Sequence, residues 1–286
     1  MADPSESAPP SVLYALGPEG TFSDQAARRL REATGHPSAA IHYTRTIPEV
    51  LVEVEGDARA WGVFPIENSV AGTVGQAQDG LVNHKVTIFR EIAVPVRFSL
   101  LASAPLPDVR RFYAHPQAFD QCSEYLAAHL AQADVDFTRS NVESGLKFIE
   151  GAEQAPLAAI VPVDFGADYP AQLAAEDIQT YANNTTRFLA VRRRRDVEHH
   201  DFRLGKTSLM IEPDEDRPGL LYELLRIFHT HGLNICRLES RPAKIRPWVY
   251  VFFMDIDNNP NTEACLADLR QTPNTVHVLG SYDAVE

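Results

Sequence analysis

Short apolar segments alternate with amphipathic ones along residues 12–191. VLYALG, AWGVFPI and APLAAIVPV are apolar runs of the length that is typical of buried strands. Between them, apolar residues recur at helical spacing, as Phe119, Cys122 and Leu126 do in the helix expected from about residue 117. Strands that alternate with helices favour an α/β fold with largely parallel strand pairing.

Residues 206–286 carry a different pattern. KTSLMIE, LNICRLESRPAKI, WVYVFFMDID and TVHVLGSYDAV are strand-like, whereas LLYELLRIFHTHG and NTEACLADLRQT have helical spacing. The resulting order, βαββαβ, predicts a ferredoxin-like module. The charged segment 192–205 is the expected linker to this module, and residues 1–11 are an expected disordered lead.

Composition and charge narrow the class of protein. The chain has 286 residues and a formal net charge of −13, which argues against a nucleic acid as the main partner. No apolar run approaches the roughly 20 residues of a membrane helix, and the N-terminus lacks the basic and apolar regions of a secretory signal. The 3 cysteines are odd in number and far apart, which favours a cytoplasmic protein. No spacing of histidine or cysteine predicts a metal site.

The segment GTFS should lead from the first strand into a helix. Ser23 can cap a helix that begins near Asp24, and Gly35 can end it. Free backbone N–H groups and the helix dipole attract anions at such an N-terminus. Many such loops bind nothing, so this segment alone is only a candidate anion site.

Other polar segments also lie at strand ends. GTFS (20–23), ENS (67–69) and HPQ (115–117) follow strands, whereas NNTTR (183–187) precedes one. Ligands of open α/β sheets bind beyond the carboxyl ends of the strands. All these segments can meet only if the strand after NNTTR runs antiparallel to the others or lies across an interface between lobes. We therefore predict two lobes with a cleft between them, the second lobe covering about 86–165.

These segments resemble the signatures of the prephenate dehydratase family. LGPEGTFSDQAA, GVFPIENS, HPQAFDQC and NNTTRF are similar to its catalytic motifs, in the family's order. DRPGLL and LESRP are similar to the phenylalanine-binding motifs of its ACT regulatory domain. The resemblance extends over nearly the whole chain from about residue 12. It implies a catalytic domain of periplasmic-binding-protein-like fold, with a cleft between two lobes, at 12–191 and an ACT domain at 206–286.

The resemblance implies a lyase that needs no cofactor and no metal. The family converts prephenate to phenylpyruvate, water and carbon dioxide on the route to L-phenylalanine. Because loss of hydroxide and of a carboxylate together creates an aromatic ring, the protein need only help hydroxide leave and hold a dianion in place.

The motifs also imply particular site residues. Thr186 matches the family's catalytic threonine, expected to donate a hydrogen bond to the departing hydroxyl. Arg187 matches an arginine that could pair with a substrate carboxylate, although a regular strand would point it away from the face of Thr186. Phe188 is expected beneath the site, on the face of Thr186. The other substrate-binding residues implied are Thr21, Ser23, Asn68, Ser69, His115 and Gln121.

The ACT resemblance implies feedback inhibition by L-phenylalanine. The implied effector-binding residues are Gly219, Leu220, Asn234, Ile235, Glu239, Ser240 and Arg241. ACT domains usually pair through their sheets across subunits, so a homodimer or homotetramer is implied. The bound effector would bias an equilibrium between open and closed states.

The sequence departs from the family pattern at a few positions. Ala114 and Pro162 stand where serine occurs in the family, Asn141 stands where threonine is usual, and Leu220 replaces the commoner alanine. Alternative functions stay open. Arogenate dehydratase is one, and a non-catalytic amino-acid-sensing binding protein is another, since fold alone does not fix function. The intact NNTTRF and ENS segments argue against the binding protein, and Thr186 argues against a related prephenate decarboxylase.

Overall fold

The structure is a computed structural model that describes residues 10–243 and 249–285. Most of the lead expected at 1–11, and part of the segment after LESRP, therefore lie outside the described residues. The strands are β1 (Val12–Leu16), β2 (Ala40–Thr44), β3 (Ala60–Asn68), β4 (Gly72–Thr73), β5 (Val86–Pro95), β6 (Phe98–Ala102), β7 (Arg111–Ala114), β8 (Asp134–Phe137), β9 (Leu157–Pro162), β10 (Leu173–Ala175), β11 (Thr185–Arg193), β12 (Lys206–Glu212), β13 (Asn234–Pro242), β14 (Tyr250–Asp257) and β15 (Thr275–Ala284).

Helices connect most of these strands. They are α1 (Phe22–Ala33), α2 (Ile47–Gly56), α3 (Gly75–Asn83), α4 (Pro116–Gln121), α5 (Ser123–His129), α6 (Asn141–Gly151), α7 (Val163–Ala167), α8 (Leu220–Thr230) and α9 (Thr262–Gln271), with a 3-10 turn at Leu106–Asp108. Within the described ranges, no helix combines the length and apolarity that a membrane crossing requires.

The strands form two sheets. The larger has the order β13-β14-β12-β15-β5-β11-β3-β1-β2, with β4 beside β3, and the smaller has the order β10-β6-β9-β7-β8. The first lobe is the part of the larger sheet from β5 to β2 with helices α1 to α3. The smaller sheet with α4 to α7 is the second lobe.

The second lobe begins later than the sequence suggested. Residues 86–95 form β5, which pairs with β11 in the larger sheet, so the expected start at about residue 86 is wrong. The chain crosses to the smaller sheet at Val96 and Arg97, and Phe98 is then paired with Pro162 of β9. The last strand of the second lobe, β10, ends at Ala175, beyond the expected limit of 165.

The C-terminal module has the predicted ferredoxin-like order. In its sheet the strands lie in the order β13-β14-β12-β15, and each is antiparallel to its neighbour. Helices α8 and α9 pack on one face of this sheet. The parallel pairing of Asp283 with Arg90 joins β15 to β5, so the sheets of the module and of the first lobe are continuous.

Strand β11 separates two cores, because successive side chains of a strand point to opposite faces. Phe188 packs with Leu30 in the core beneath α1. Leu189 lies in the core beneath α2 and α3, which also contains Phe253 and Tyr282 of the C-terminal module. The module and the first lobe thus share buried apolar surface, which fixes their relative position.

Helix α1 is capped by a different residue from the one predicted. Thr21 has extended backbone angles (φ −80°, ψ 168°), and its hydroxyl accepts from the N–H of Asp24 at 3.4 Å. The helix begins at Phe22, so Ser23 lies inside its first turn, where it is buried and cannot act as the cap. Gly35, with φ +72°, follows the helix end as predicted.

Gly280 lies at the crossing of β15 and β5. A Cβ atom at this position would lie 2.1 Å from the carbonyl oxygen of Ile88, which is backbone and cannot swing aside. We expect Gly280→Ala to lower the free energy of unfolding by about 1–3 kcal/mol in denaturant titrations. Gly56→Ala is the control because no atom lies within 4 Å of its Cβ position. Equal stability of both variants would contradict the close approach at Gly280.

Candidate active site

The polar segments at the strand ends meet in a cavity of about 40 Å³ between the two lobes. They can do so because β11 runs antiparallel to both β3 and β5, which is one of the two arrangements that the sequence allowed. Each of the segments GTFS, ENS, HPQ and NNTTR contributes a lining side chain. The lining residues are Phe22, Asn68, Val96, Phe98, Gln117, Ala118, Gln121, Asn141 and Thr186.

Thr186 and Asn68 form a hydrogen-bonded pair in this cavity. They are directly opposite each other on β11 and β3, and Asn68 Nδ2 donates to Thr186 Oγ1 at 2.9 Å. Asn68 Oδ1 accepts from the backbone N–H groups of Val70 at 3.0 Å and Ala71 at 2.7 Å, which fixes the orientation of the amide. Because Thr186 Oγ1 accepts from Asn68, its own proton is available for donation to a ligand.

Asn184, which was not among the predicted site residues, connects this pair to the second lobe. Asn68 Nδ2 donates to Asn184 Oδ1 at 2.8 Å, and Asn184 Nδ2 donates to Gln121 Oε1 at 3.0 Å. The side chain is 2% exposed. An unbroken chain of hydrogen bonds therefore runs from Gln121 through Asn184 and Asn68 to Thr186.

Two polar atoms on side chains that line the cavity have no hydrogen-bond partner among the described residues. They are Gln121 Nε2 and Asn141 Oδ1 of the second lobe, and both are buried. A buried group without a partner costs about 1–3 kcal/mol, so such groups call for an explanation. A bound ligand would satisfy both, with Gln121 as donor and Asn141 as acceptor.

Helix α1 presents its N-terminus to the cavity through Phe22. The loop before it is held by the buried carboxylate of Asp24, which accepts from Gly20 N at 2.9 Å, from Arg28 and from the hydroxyl of Tyr43 at 2.8 Å. Burial and the neighbouring Asp24 raise the pKa of Tyr43 to about 12. The first N–H groups of the helix lack intrahelical acceptors, which suits an anionic ligand.

Several predicted substrate-binding residues do not line the cavity. Thr21 caps α1, and its hydroxyl donates to the carbonyl of Pro18 at 2.9 Å, while Ser23 is buried in that helix. Ser69 Oγ accepts from Thr185 N at 3.0 Å and so holds the NNTTR segment. Phe188 shares the face of Thr186 but is buried in the α1 core. These side chains support the site from outside the cavity.

His115 is also a supporting residue. Its Nδ1 accepts from the backbone N–H of Gln117 at 3.3 Å and thereby caps α4. Burial lowers the pKa of His115, which keeps the ring neutral and able to accept this bond. The cap places Gln117 and Gln121 of the same helix against the cavity.

Arg187 does not reach the cavity. Its guanidinium binds the carboxylate of Asp255 in the C-terminal module and lies 3.6 Å from Glu91 Oε2. The arginine expected to pair with a substrate carboxylate therefore lies outside the cavity. Strand alternation decides the matter, since Thr186 faces the cleft and Arg187 faces the opposite side.

A second cavity, of about 260 Å³, lies in the C-terminal module. Its lining includes Leu220 and Ser240 of the predicted effector residues, and the full lining is Pro213, Asp216, Leu220, Ser240, Val249, Tyr250 and Phe252. Gly219, with φ +85°, starts helix α8 beside Leu220. Its left-handed backbone favours glycine at this position.

The other predicted effector residues lie elsewhere. Asn234 donates to Asp257 at 2.6 Å, and Ile235 packs in the core of the module. Glu239 accepts from Thr73 of the first lobe at 3.1 Å. Arg241 donates to Asp79 of helix α3 at 3.2 Å. Glu239 and Arg241 face the first lobe because they alternate along β13 with Ser240, so their side chains lie outside this cavity.

The cleft offers hydrogen-bond donors and acceptors, fixed by backbone contacts and by one another. Such a set can orient a polar ligand and stabilise a leaving group. In the part of the chain that the structure describes, no group of three or more His, Cys, Asp or Glu side chains has the arrangement of a metal site.

Comparisons with known proteins agree with the geometry. The family model for prephenate dehydratase matches residues 13–196, and the model for the ACT domain matches residues 215–274. The chain is 36% identical over 278 residues to a bifunctional chorismate mutase/prephenate dehydratase of Aquifex aeolicus, covering 95% of this chain and 73% of that protein. It is 31% identical over 274 residues to a prephenate dehydratase of Methanocaldococcus jannaschii, covering 95% and 97%.

A solved structure is also similar over most of the chain. It is the prephenate dehydratase of Arthrobacter aurescens in complex with L-Phe, with a TM-score of 0.80 and 31% identity, covering 95% of this chain and 89% of that one. With the cleft, the motifs and the family models in agreement, the chain belongs to the prephenate dehydratase family and carries an ACT domain after its catalytic domain.

Proposed function

We propose that this protein is a prephenate dehydratase of L-phenylalanine biosynthesis, which converts prephenate to phenylpyruvate, water and carbon dioxide without a cofactor. One observation carries the proposal. Asn68 donates to Thr186 Oγ1 at 2.9 Å, beside the unpaired Nε2 of Gln121 in the same interlobe cavity. A hydroxyl with a free proton and an amide donor are what a departing hydroxide and a substrate carboxylate require.

The reaction breaks two bonds of the substrate ring. The ring C–O bond breaks and its electron pair leaves with the hydroxyl oxygen, while the bond to the ring carboxylate breaks and its electron pair enters the ring. Thr186 donates a hydrogen bond to the oxygen as negative charge develops on it. An alcohol is a weak acid, so the hydrogen bond in the transition state is the main contribution, and the proton that completes water comes from solvent.

The cleft must open to admit this substrate. Its cavity of about 40 Å³ is far below the roughly 300–1,000 Å³ of ordinary ligand sites. Two chain crossings join the lobes, one between β5 and β6 and one between β10 and β11. Closure on the substrate would exclude water and strengthen the contacts of Thr186 and Gln121.

An arogenate dehydratase is the second candidate. Arogenate carries an ammonium group where prephenate has a keto group, and Asn141 Oδ1 is an unpaired acceptor that suits an ammonium. Purified protein is to be incubated with each substrate, and formation of phenylpyruvate or phenylalanine compared. We expect kcat/KM to be higher for prephenate. Turnover of neither substrate would contradict both candidates and favour a non-catalytic amino-acid-sensing protein.

L-phenylalanine is the proposed effector, bound in the cavity of about 260 Å³ in the ACT domain. The support is a relative of 31% identity whose structure is a complex with L-Phe. Strand β13 ends the larger sheet and leaves backbone donors and acceptors for a second copy, so we propose a homodimer or homotetramer through the ACT domains. Free thiols at Cys122, Cys236 and Cys265 support a cytoplasmic location.

Filling the effector cavity should weaken inhibition. Ser240 is exposed and lines the cavity, so Ser240→Leu places an apolar side chain where the ligand would bind, with little cost to the core. We expect the L-phenylalanine concentration for half-inhibition to rise about tenfold or more, which corresponds to about 1.4 kcal/mol. Leu238→Ser is the control. It also exchanges leucine and serine, in the opposite direction, on the same face of β13 but outside the cavity. Equal inhibition of both variants would contradict the effector site.

A further inference from the structure

On β3 and β11, the residue pair that faces the cavity is followed in the register by a pair of charged residues on the other face of the sheet. Thr186 lies opposite Asn68, and the next position of the register places Arg187 opposite Glu67. Successive side chains of a strand point to opposite faces. Each strand that carries a cleft residue therefore carries, one residue away, a charge that faces the ACT domain.

Arg187 lies among carboxylates from both domains. Its guanidinium binds Asp255 of β14, lies 3.6 Å from Glu91 of β5 and lies 3.8 Å from Glu67 of β3. The side chains of Arg187, Glu91 and Asp255 are 17%, 8% and 5% exposed. Since charges are rarely buried unless paired, the position of each of these side chains depends on the others.

The ACT domain also holds Glu67. Arg237 of β13 lies 3.3 Å from its carboxylate. Lys206 of β12 binds Glu91 at 2.9 Å. We call the set Glu67, Glu91, Arg187, Lys206, Arg237 and Asp255 the interdomain ion network. It connects three strands of the first lobe to three strands of the ACT domain.

Asp255 is itself fixed within the ACT domain. Ser208 Oγ donates to Asp255 Oδ1 at 2.6 Å and lies 2.7 Å from the hydroxyl of Tyr282, which is fully buried. The same strand, β14, contributes Tyr250 and Phe252 to the effector cavity. One strand thus lines the cavity proposed for L-phenylalanine and holds the arginine that follows Thr186.

We propose that Arg187 is a positioning residue, held by its ion pair with Asp255 of the ACT domain. This ion pair fixes the position of the Thr186 hydroxyl. It also transmits the state of the effector cavity to the cleft. This inference rests on the proposed function. A shift of β14 on effector binding would move Asp255, then Arg187, then the backbone of Thr186. Misplacement of a catalytic group by about 1 Å can lower the rate about 100-fold.

The test compares Arg187→Gln, Asp255→Asn and the double variant in the full-length protein. We expect each single variant to lower kcat for prephenate about 10- to 100-fold with KM changed less than about twofold, because the transition state and not substrate binding is affected. The double variant should be no slower than the slower single variant, because both changes break one link. The L-phenylalanine concentration for half-inhibition should rise about fivefold or more.

The control variant is Arg241→Gln. It removes the ion pair between Arg241 of the ACT domain and Asp79 of the first lobe. Asp79 lies on α3, so this pair joins the same two domains away from the strand of Thr186. Its kcat should stay within about twofold of the parent. A fall in kcat equal to that of Asp255→Asn would mean that any break between the domains slows the enzyme, and would overturn the proposal.

Other outcomes are also decisive. Parental kcat and inhibition in Asp255→Asn would refute the positioning role, and a raised KM with unchanged kcat in Arg187→Gln would show a substrate contact instead. If Asp255→Asn does not fold, Ser208→Ala decides, since it keeps the charge of Asp255 but removes the hydrogen bonds of Ser208 to Asp255 and Tyr282, and should lower kcat in the same direction. A parent protein without prephenate turnover would contradict the proposed function as well as this role, whereas an active parent with an active Asp255→Asn would contradict the role alone.

Discussion

Replacing Thr186 by alanine is expected to lower kcat for prephenate about 100- to 1,000-fold, the effect of removing one hydrogen-bond donor to a developing oxyanion. This corresponds to about 3–4 kcal/mol of transition-state stabilisation. KM should change little, because the hydroxyl acts on charge that appears only as the C–O bond breaks. Initial rates of phenylpyruvate formation over a range of prephenate concentrations measure both constants.

Two variants make this result specific. Thr186→Ser keeps the hydroxyl that accepts from Asn68 and should retain kcat within about tenfold of the parent. Thr185→Ala removes the adjacent hydroxyl, whose side-chain contact is a 3.5 Å hydrogen bond to the Asn183 carbonyl, and should leave kcat within about twofold. Full kcat in Thr186→Ala would refute the role of Thr186 but would leave the dehydratase function standing.

Local patterns were sufficient for most elements of the fold. Alternating strands and helices gave the α/β class, and the order βαββαβ gave the ferredoxin-like module. The elements predicted above do not include α2, although Ile47, Val50, Leu51 and Val54 follow helical spacing and are buried in it. Strand β2 gives a weaker signal because it is an edge strand with partly exposed side chains.

The boundary between the lobes could not be predicted from local pattern. Residues 86–102 are strand-like throughout, yet β5 belongs to one sheet and β6 to the other. Which sheet a strand joins depends on partners far away in sequence, here β11 for β5 and β9 for β6. Hydrophobic periodicity contains no information on that choice.

Some site residues could be predicted from local sequence, and others depend on contacts between distant segments. Strand alternation predicted that Arg187 would point away from the face of Thr186, whereas the motif resemblance implied a substrate contact, and in the structure Arg187 points away and binds Asp255. The motif resemblance found Asn68, Gln121 and Thr186, which line one cavity. Asn184 is absent from the predicted site residues although it stands in the NNTTRF motif, because its role depends on burial between the lobes, which local sequence does not show.

Replacing Asn68 by aspartate is expected to lower kcat by about 1,000-fold, since the change keeps the shape and reverses the hydrogen bond. One carboxylate oxygen would still accept from Val70 and Ala71. The other would take the place of Nδ2, which lies 2.9 Å from Thr186 Oγ1 and 2.8 Å from Asn184 Oδ1. It would accept the proton of Thr186, oppose the oxygen of Asn184 and repel a dianionic substrate.

The pH dependence separates this explanation from a simple loss of folding. A protonated carboxylic acid can donate to Thr186 again, so the rate of Asn68→Asp relative to the parent should rise as the pH falls. Asn183→Asp is the matched control, because position 183 is exposed. The substitution adds the same charge beside the cleft, but at a side chain that has no bond to Thr186. Its kcat should stay within about threefold, given screening of exposed charges. If Asn183→Asp were as slow as Asn68→Asp, charge alone would explain the loss, and the donor role of Asn68 would be wrong.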